Sequence, residues 1–156
     1  MDWSTLTVQL LTAFLGAFGY ALLFQVSRDK LFGACAGGFL AWLVYLLCGL
    51  FSGSNALKYF IASVIVTFYA EFMARRKKTP ATVFLAPATI PLIPGGSLYQ
   101  TMAFALRGQW EKAFSQGLNT ILLAVAISCG ILMTMTLMGI AGKGMQRIAD
   151  CRDKKL

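Results

Sequence analysis

Hydrophobic positions along this chain come in long blocks rather than in short alternating runs. Positions 3–27, 31–57, 79–106 and 113–142 carry no charged residue at all. Each block matches or exceeds the roughly 20 residues that a helix rising about 1.5 Å per residue needs to cross about 30 Å of hydrocarbon. A fifth, weaker block covers positions 59–74 and is interrupted only by Glu71. The pattern predicts an all-α, polytopic membrane helix bundle in one transmembrane domain over 1–156. Its helices are expected at about 3–26, 32–51, 57–74, 80–106 and 114–142, followed by a basic tail over 143–156.

The polar positions between the blocks predict orientation. With five crossings, one side collects Arg28, Lys30, Arg75, Arg76, Lys77, Lys78, Lys143, Arg147, Arg152, Lys154 and Lys155, and the other holds only Lys58, Arg107 and Lys112. By the positive-inside rule the N-terminus is then outside and the C-terminus cytoplasmic. Folding positions 80–106 back as a re-entrant hairpin would leave the tail outside and divide the same residues 8 against 6. Charge bias therefore favours the crossing. The first block is too long for a secretion signal, has Asp2 in place of a basic region and lacks a small-residue cleavage site, so it reads as a retained helix.

Composition fits the same picture, with 58% hydrophobic and 13% charged residues and a mean hydropathy of +0.69. The net charge of +8 would suggest nucleic acid in a soluble protein. Here the basic residues stand at the ends of apolar spans and report orientation and lipid headgroups, so no nucleic-acid partner is expected. The block Arg75 to Lys78 suits anionic lipid at about 1 kcal/mol per cation. Histidine is absent, and Cys35, Cys48, Cys129 and Cys151 have no CxxC spacing. No paired-carboxylate, HExxH or phosphate-loop motif is present, so neither an enzyme nor a metal or other cofactor is expected. Ala13 and Ala17 in the first helix, and Gly33 and Gly37 in the second, allow close backbone approach. Packing within the chain is the commoner use of such residues, with a homo-oligomer as the alternative.

The fourth block departs from the others. It holds all four prolines, Pro80, Pro87, Pro91 and Pro94, followed by Gly95 and Gly96. Proline lacks the amide proton, so a helix through this segment would lose its bonds at the carbonyls of Val83, Pro87 and Ile90. The glycines permit backbone angles closed to other residues, and Ser97 suits the N-cap of a fresh helix. These features predict a discontinuous helix, broken near mid-membrane, with free amides suited to a carboxylate and free carbonyls suited to a cation. Transporters bind substrates at such breaks. The candidate substrate-binding residues are Pro91, Pro94, Gly95, Gly96, Ser97, Tyr99 and Gln100.

The string Pro91-Leu92-Ile93-Pro94-Gly95-Gly96-Ser97-Leu98-Tyr99 resembles the PxxPGxxxY signature of the threonine/serine exporter family in its short membrane-subunit form. The similarity covers most of the chain: its length, the uncharged first helix, the basic loop before the proline-rich span and the long last helix. It implies proton-driven efflux of threonine and serine, or of dicarboxylates such as succinate in some relatives. It further implies a bacterial inner-membrane location and a larger membrane subunit as partner, since the short form is similar to the C-terminal part of fused exporters. Pro91, Pro94, Gly95 and Tyr99 match the signature, whereas Gly96 and Ser97 rest on the helix-break argument alone. An accessory subunit without its own path is the remaining alternative.

Two further polar residues lie at membrane depth. Glu71 is a candidate for proton coupling, or else an interfacial partner of Arg75 at i, i+4. Asn119 shares a face with Ser115 on the last helix and either bonds to a neighbouring helix or lines the path. Trp3 and Trp110 are expected as interfacial anchors, and Trp42, in mid-span, as a packing residue.

Overall fold

The computed structural model describes residues 3–51 and 53–153, which form six α-helices and one short 3-10 turn, with no strand among the described residues. The helices are α1 (Trp3–Leu23), α2 (Arg28–Phe51), α3 (Asn55–Lys77), α4 (Thr82–Thr89), α5 (Gly95–Leu106) and α6 (Trp110–Asp153), with the 3-10 turn Ile90–Leu92 between α4 and α5. Asp2, Lys154 and Lys155 lie outside the described residues. The side chains of Trp3, Lys143, Arg147, Cys151 and Arg152 lie outside the described side chains.

Helix ends differ from the expected ones for local reasons. α1 stops at Leu23 because Gln25 adopts φ +51, and the amide of Val26 turns back to the carbonyl of Ala21 at 3.0 Å. This is a left-handed helix stop made without glycine, so nothing in the residue types announced it. α2 then begins at Arg28 rather than Phe32, since the Ser27 carbonyl accepts the amides of Lys30 and Leu31 at 2.8 and 3.1 Å. Asp29 in its first turn suits the helix dipole. α3 runs past position 74 to Lys77, with Arg75, Arg76 and Lys77 in its last turn and Lys78 at φ +50 closing it. α6 starts at Trp110 and stays helical eleven residues beyond position 142, a length of about 66 Å.

Four helices are long and apolar enough to cross a membrane. The pair formed by Thr82–Leu92 and Gly95–Leu106, bent by 49°, passes the same test jointly. The bundle is a polytopic membrane protein, and its interior is built from small residues. Ala17, Ala21, Ala34, Ala41, Ala62 and Ala88 are fully buried, whereas large side chains such as Leu11, Phe32, Leu50, Leu132 and Ile140 are exposed. Lipid tails are as apolar as leucine, so large residues gain little by turning inward, and helices associate by close approach instead.

The contacts are specific. A Cβ on Gly37 would stand 2.8 Å from the Cβ of Ala88, one on Gly33 would stand 3.2 Å from Phe84, and one on Gly38 would collide with Ala17. The GxxxG face of α2 is thus occupied by α4 of the same chain, with α1 seated one residue along at Gly38. Tyr69 on α3 donates to the Gly33 carbonyl at 2.9 Å. On the far side, a Cβ on Gly130 would run into Ser63 Oγ and stand 3.0 Å from the Phe60 carbonyl. Arg75 Nη2 donates to the Met138 carbonyl at 2.7 Å. Gly130 meets Ser63 and Met138 meets Arg75, so α3 and α6 run in the same direction.

Candidate functional site

The interruption between α4 and α5 is built by its prolines in three different ways. Pro87 lies inside α4, so the Val83 carbonyl has no helical donor four residues on. Pro91 is the second residue of the 3-10 turn, where a missing amide costs nothing. Pro94, at φ −76 and ψ 57, is the centre of an inverse γ-turn closed by the Gly95 amide on the Ile93 carbonyl at 2.7 Å. The Ile90 carbonyl, expected to be free, accepts the Ile93 amide at 3.1 Å.

Two expectations about the start of α5 are corrected. Gly95 and Gly96 do not adopt positive φ, and they begin α5 with helical geometry. Pro94, not Ser97, occupies the N-cap position, and it offers no side-chain cap. Pro94 can supply its carbonyl to Leu98 at 3.1 Å, while Ser97, already inside the first turn, accepts through its carbonyl from Thr101 Oγ1 at 2.8 Å. The glycines matter through what they omit, since a Cβ at either would meet nothing within 4 Å. The amides of Gly96 and Ser97 have no backbone acceptor among the described residues. Two uncapped donors and the positive end of the helix dipole thus stand together in open space.

That space is a hollow of about 340 Å³. Pro91, Ile93, Pro94, Gly95, Gly96, Ser97 and Gln100 form one wall, and Trp42 of α2 and Tyr59 of α3 form the other. Its size falls within the roughly 300–1,000 Å³ typical of small-molecule sites. Trp42 stacks on Tyr45 at a centroid distance of 4.9 Å, and Tyr45 meets Tyr59 at 4.8 Å, which fixes the aromatic wall. The Trp42 indole nitrogen is buried without a partner among the described residues, a loss of about 1–3 kcal/mol. Expected only to pack, Trp42 proves to be a wall of the hollow. Its position in mid-span was the available signal, because tryptophan favours membrane interfaces and its N–H needs an acceptor. No such signal marked Tyr59.

The remaining sequence candidates lie elsewhere. Tyr99 is 75% exposed and is not among the residues that line the hollow. Asn119 is half-buried on α6 without a side-chain hydrogen bond among the described residues, and its neighbour Gln116 donates to Gln100 at 3.1 Å across the α5–α6 hairpin. Glu71 pairs with Arg75 at 3.8 Å. It sits on α3 twelve residues beyond Tyr59, about 18 Å along the helix axis. Trp110 is 70% exposed at the start of α6. Among the described residues no group of His, Cys, Asp or Glu is placed to hold a metal ion.

A helix bundle with exposed large side chains and a helix interrupted beside a polar hollow is an arrangement that membrane transporters use. Residues 9–137 match the family described as Threonine/Serine exporter, ThrE, and the chain belongs to that family. No curated protein and no solved structure matches it.

Proposed function

We propose that the chain is the membrane subunit of a secondary exporter that moves threonine and serine out of the cell, binding them at the break before α5. The observation that carries this reading is the pair of uncapped amides at Gly96 and Ser97, opening on a 340 Å³ hollow with Trp42 and Tyr59 opposite. A carboxylate suits those amides, and the hydroxyl and ammonium of a small amino acid suit Gln100, Tyr59 and nearby carbonyls.

The reading places α4 and α5 in one crossing. α3 and α6 run in the same direction, which supports a return across the bilayer by the segment between them. A 49° bend also falls far short of the reversal a re-entrant hairpin needs. α4 with its 3-10 turn and α5 each rise about 18 Å, which sets the break near mid-membrane. The basic ends then face the cytoplasm, with the N-terminus outside, in the inner membrane of a bacterium.

A larger membrane subunit completes the path in this reading. α5 packs on α6, none of its residues is buried, and lipid cannot satisfy the polar groups it leaves uncovered. Glu71 is the single acidic residue within the apolar spans and is engaged by Arg75, which also holds α6. We assign it as a brace, and the proton-coupling carboxylate to the partner.

Labelled threonine, serine and succinate leaving loaded cells test the proposal. Gly95→Leu fills the hollow and is expected to abolish threonine and serine efflux while the protein still inserts. Normal efflux by that variant overturns the site, and efflux of succinate alone overturns the substrate.

A further inference from the structure

A second hollow, of about 380 Å³, lies at the basic end of the bundle, where the α1–α2 loop meets the start of α4. Gln25, Ser27 and Lys30 line it from the loop side, and Thr82, Val83 and Pro87 from α4. Among the described residues Lys30 has no ion pair and no side-chain hydrogen bond, although Asp29 is its neighbour in sequence. It is half-buried, whereas Arg28 and Asp29 beside it are exposed. A lysine that lines a hollow without a counter-charge suits an anionic guest. Val83, whose carbonyl has no helical donor at Pro87, also lines the hollow, and a free carbonyl suits an ammonium.

The proline-bearing side of α4 continues from this hollow to the break. Pro87 borders the Lys30 hollow. Pro91 borders a middle hollow of about 260 Å³ that Gln9 and Thr12 of α1 line. Pro91 and Trp42 border both that middle hollow and the one at the break. Three hollows therefore succeed one another along the proline-bearing segment, and among their lining residues the only cation is at the first.

We infer that the Lys30 hollow is a second binding station, which takes the carboxylate of a small zwitterionic solute on the basic side before the solute reaches the break. The inference rests on the exporter reading, with the basic side cytoplasmic. Lys30 supplies the charge for the carboxylate, and the Val83 carbonyl and the Thr82 and Ser27 hydroxyls supply acceptors for the ammonium. The hollow between α1 and α2, lined by Thr7, Leu10, Phe14 and Phe39 among others, has no charged residue in its lining and suits lipid tails.

Inverted membrane vesicles from cells expressing the exporter, cytoplasmic face outward, provide the test through the rate of labelled threonine uptake against concentration. Lys30→Gln is expected to raise the KM roughly tenfold, as for loss of a charge-assisted hydrogen bond, with the maximal rate nearly kept. Lys30→Arg is expected to restore most of the affinity. Arg28→Gln removes one charge from the same turn outside the hollow and is expected to leave the KM unchanged. An unaltered KM in Lys30→Gln, or an equal rise in Arg28→Gln, overturns the station, the latter by assigning the effect to surface charge at the headgroups. Gly95→Leu in the same vesicles separates the two readings. If it abolishes uptake while Lys30→Gln is silent, only the station falls; if it transports normally, the site at the break falls first.

Discussion

The helix–helix contacts of the bundle and the α4–α5 break both depend on glycine, in opposite ways. At Gly37, Gly38 and Gly130 the missing Cβ is replaced by another helix, so neighbouring backbones close together. At Gly95 and Gly96 nothing takes its place, and two amides stay open to a hollow. The first arrangement holds the bundle together through dispersion contacts, and the second leaves hydrogen-bond donors for a solute. Glycine content alone therefore does not say whether a membrane helix packs or binds; what the absent side chain would touch does.

Substituting the two kinds of glycine sharpens that contrast most strongly. Gly130→Leu pushes into Ser63 Oγ and the Phe60 carbonyl. It is expected to cost at least about 1–3 kcal/mol and to lower the yield and melting temperature of the inserted protein. Gly96→Leu enters open space and is expected to melt within about 0.5 kcal/mol of the parent. It should nevertheless lose most threonine export, and equal destabilisation by the two variants would erase the distinction.

Tyr99→Ala has the next largest expected effect. Tyr99 is 75% exposed on α5 and does not line the hollow, so the variant is expected to fold normally and to reduce recovery of the larger subunit on co-purification. Unchanged recovery together with a raised KM would return Tyr99 to the substrate site. Gln100→Leu removes the 3.1 Å bond to Gln116, worth about 0.6 kcal/mol by the average for interhelical pairs. The expected melting shift is correspondingly small, accompanied by weaker threonine affinity. Smallest of all is Glu71→Gln. Its partner Arg75 is 43% exposed, so solvent screening limits the pair to about 0.3–0.5 kcal/mol. Efflux is expected to keep its dependence on external pH, and loss of that dependence would make Glu71 the coupling group.

Much of the architecture could be read in the residues because a membrane span needs only a long block without charges. The break was legible for a similar reason, since Pro87, Pro91 and Pro94 act on the backbone wherever they stand. What the sequence concealed depends on distant neighbours or on rare conformations. Gln25 stops α1 in a left-handed geometry that glutamine seldom adopts. Gly130 and Ser63 lie 67 positions apart and reveal their contact only when α3 and α6 align. Gly95 and Gly96 suggested unusual backbone angles, but the turn was made by Pro94 alone. Tyr59 joins the wall through tertiary packing and carries no local mark, whereas Trp42 was marked only by its position in mid-span.

Aqueous thiol labelling of Ser97→Cys, in a variant whose four native cysteines are replaced, tests the substrate site most directly. Labelling in intact membranes is expected to proceed at the break and to slow as threonine or serine is added. Labelling that is indifferent to saturating threonine, in a variant that still exports it, would place the solute somewhere other than beside the uncapped turn.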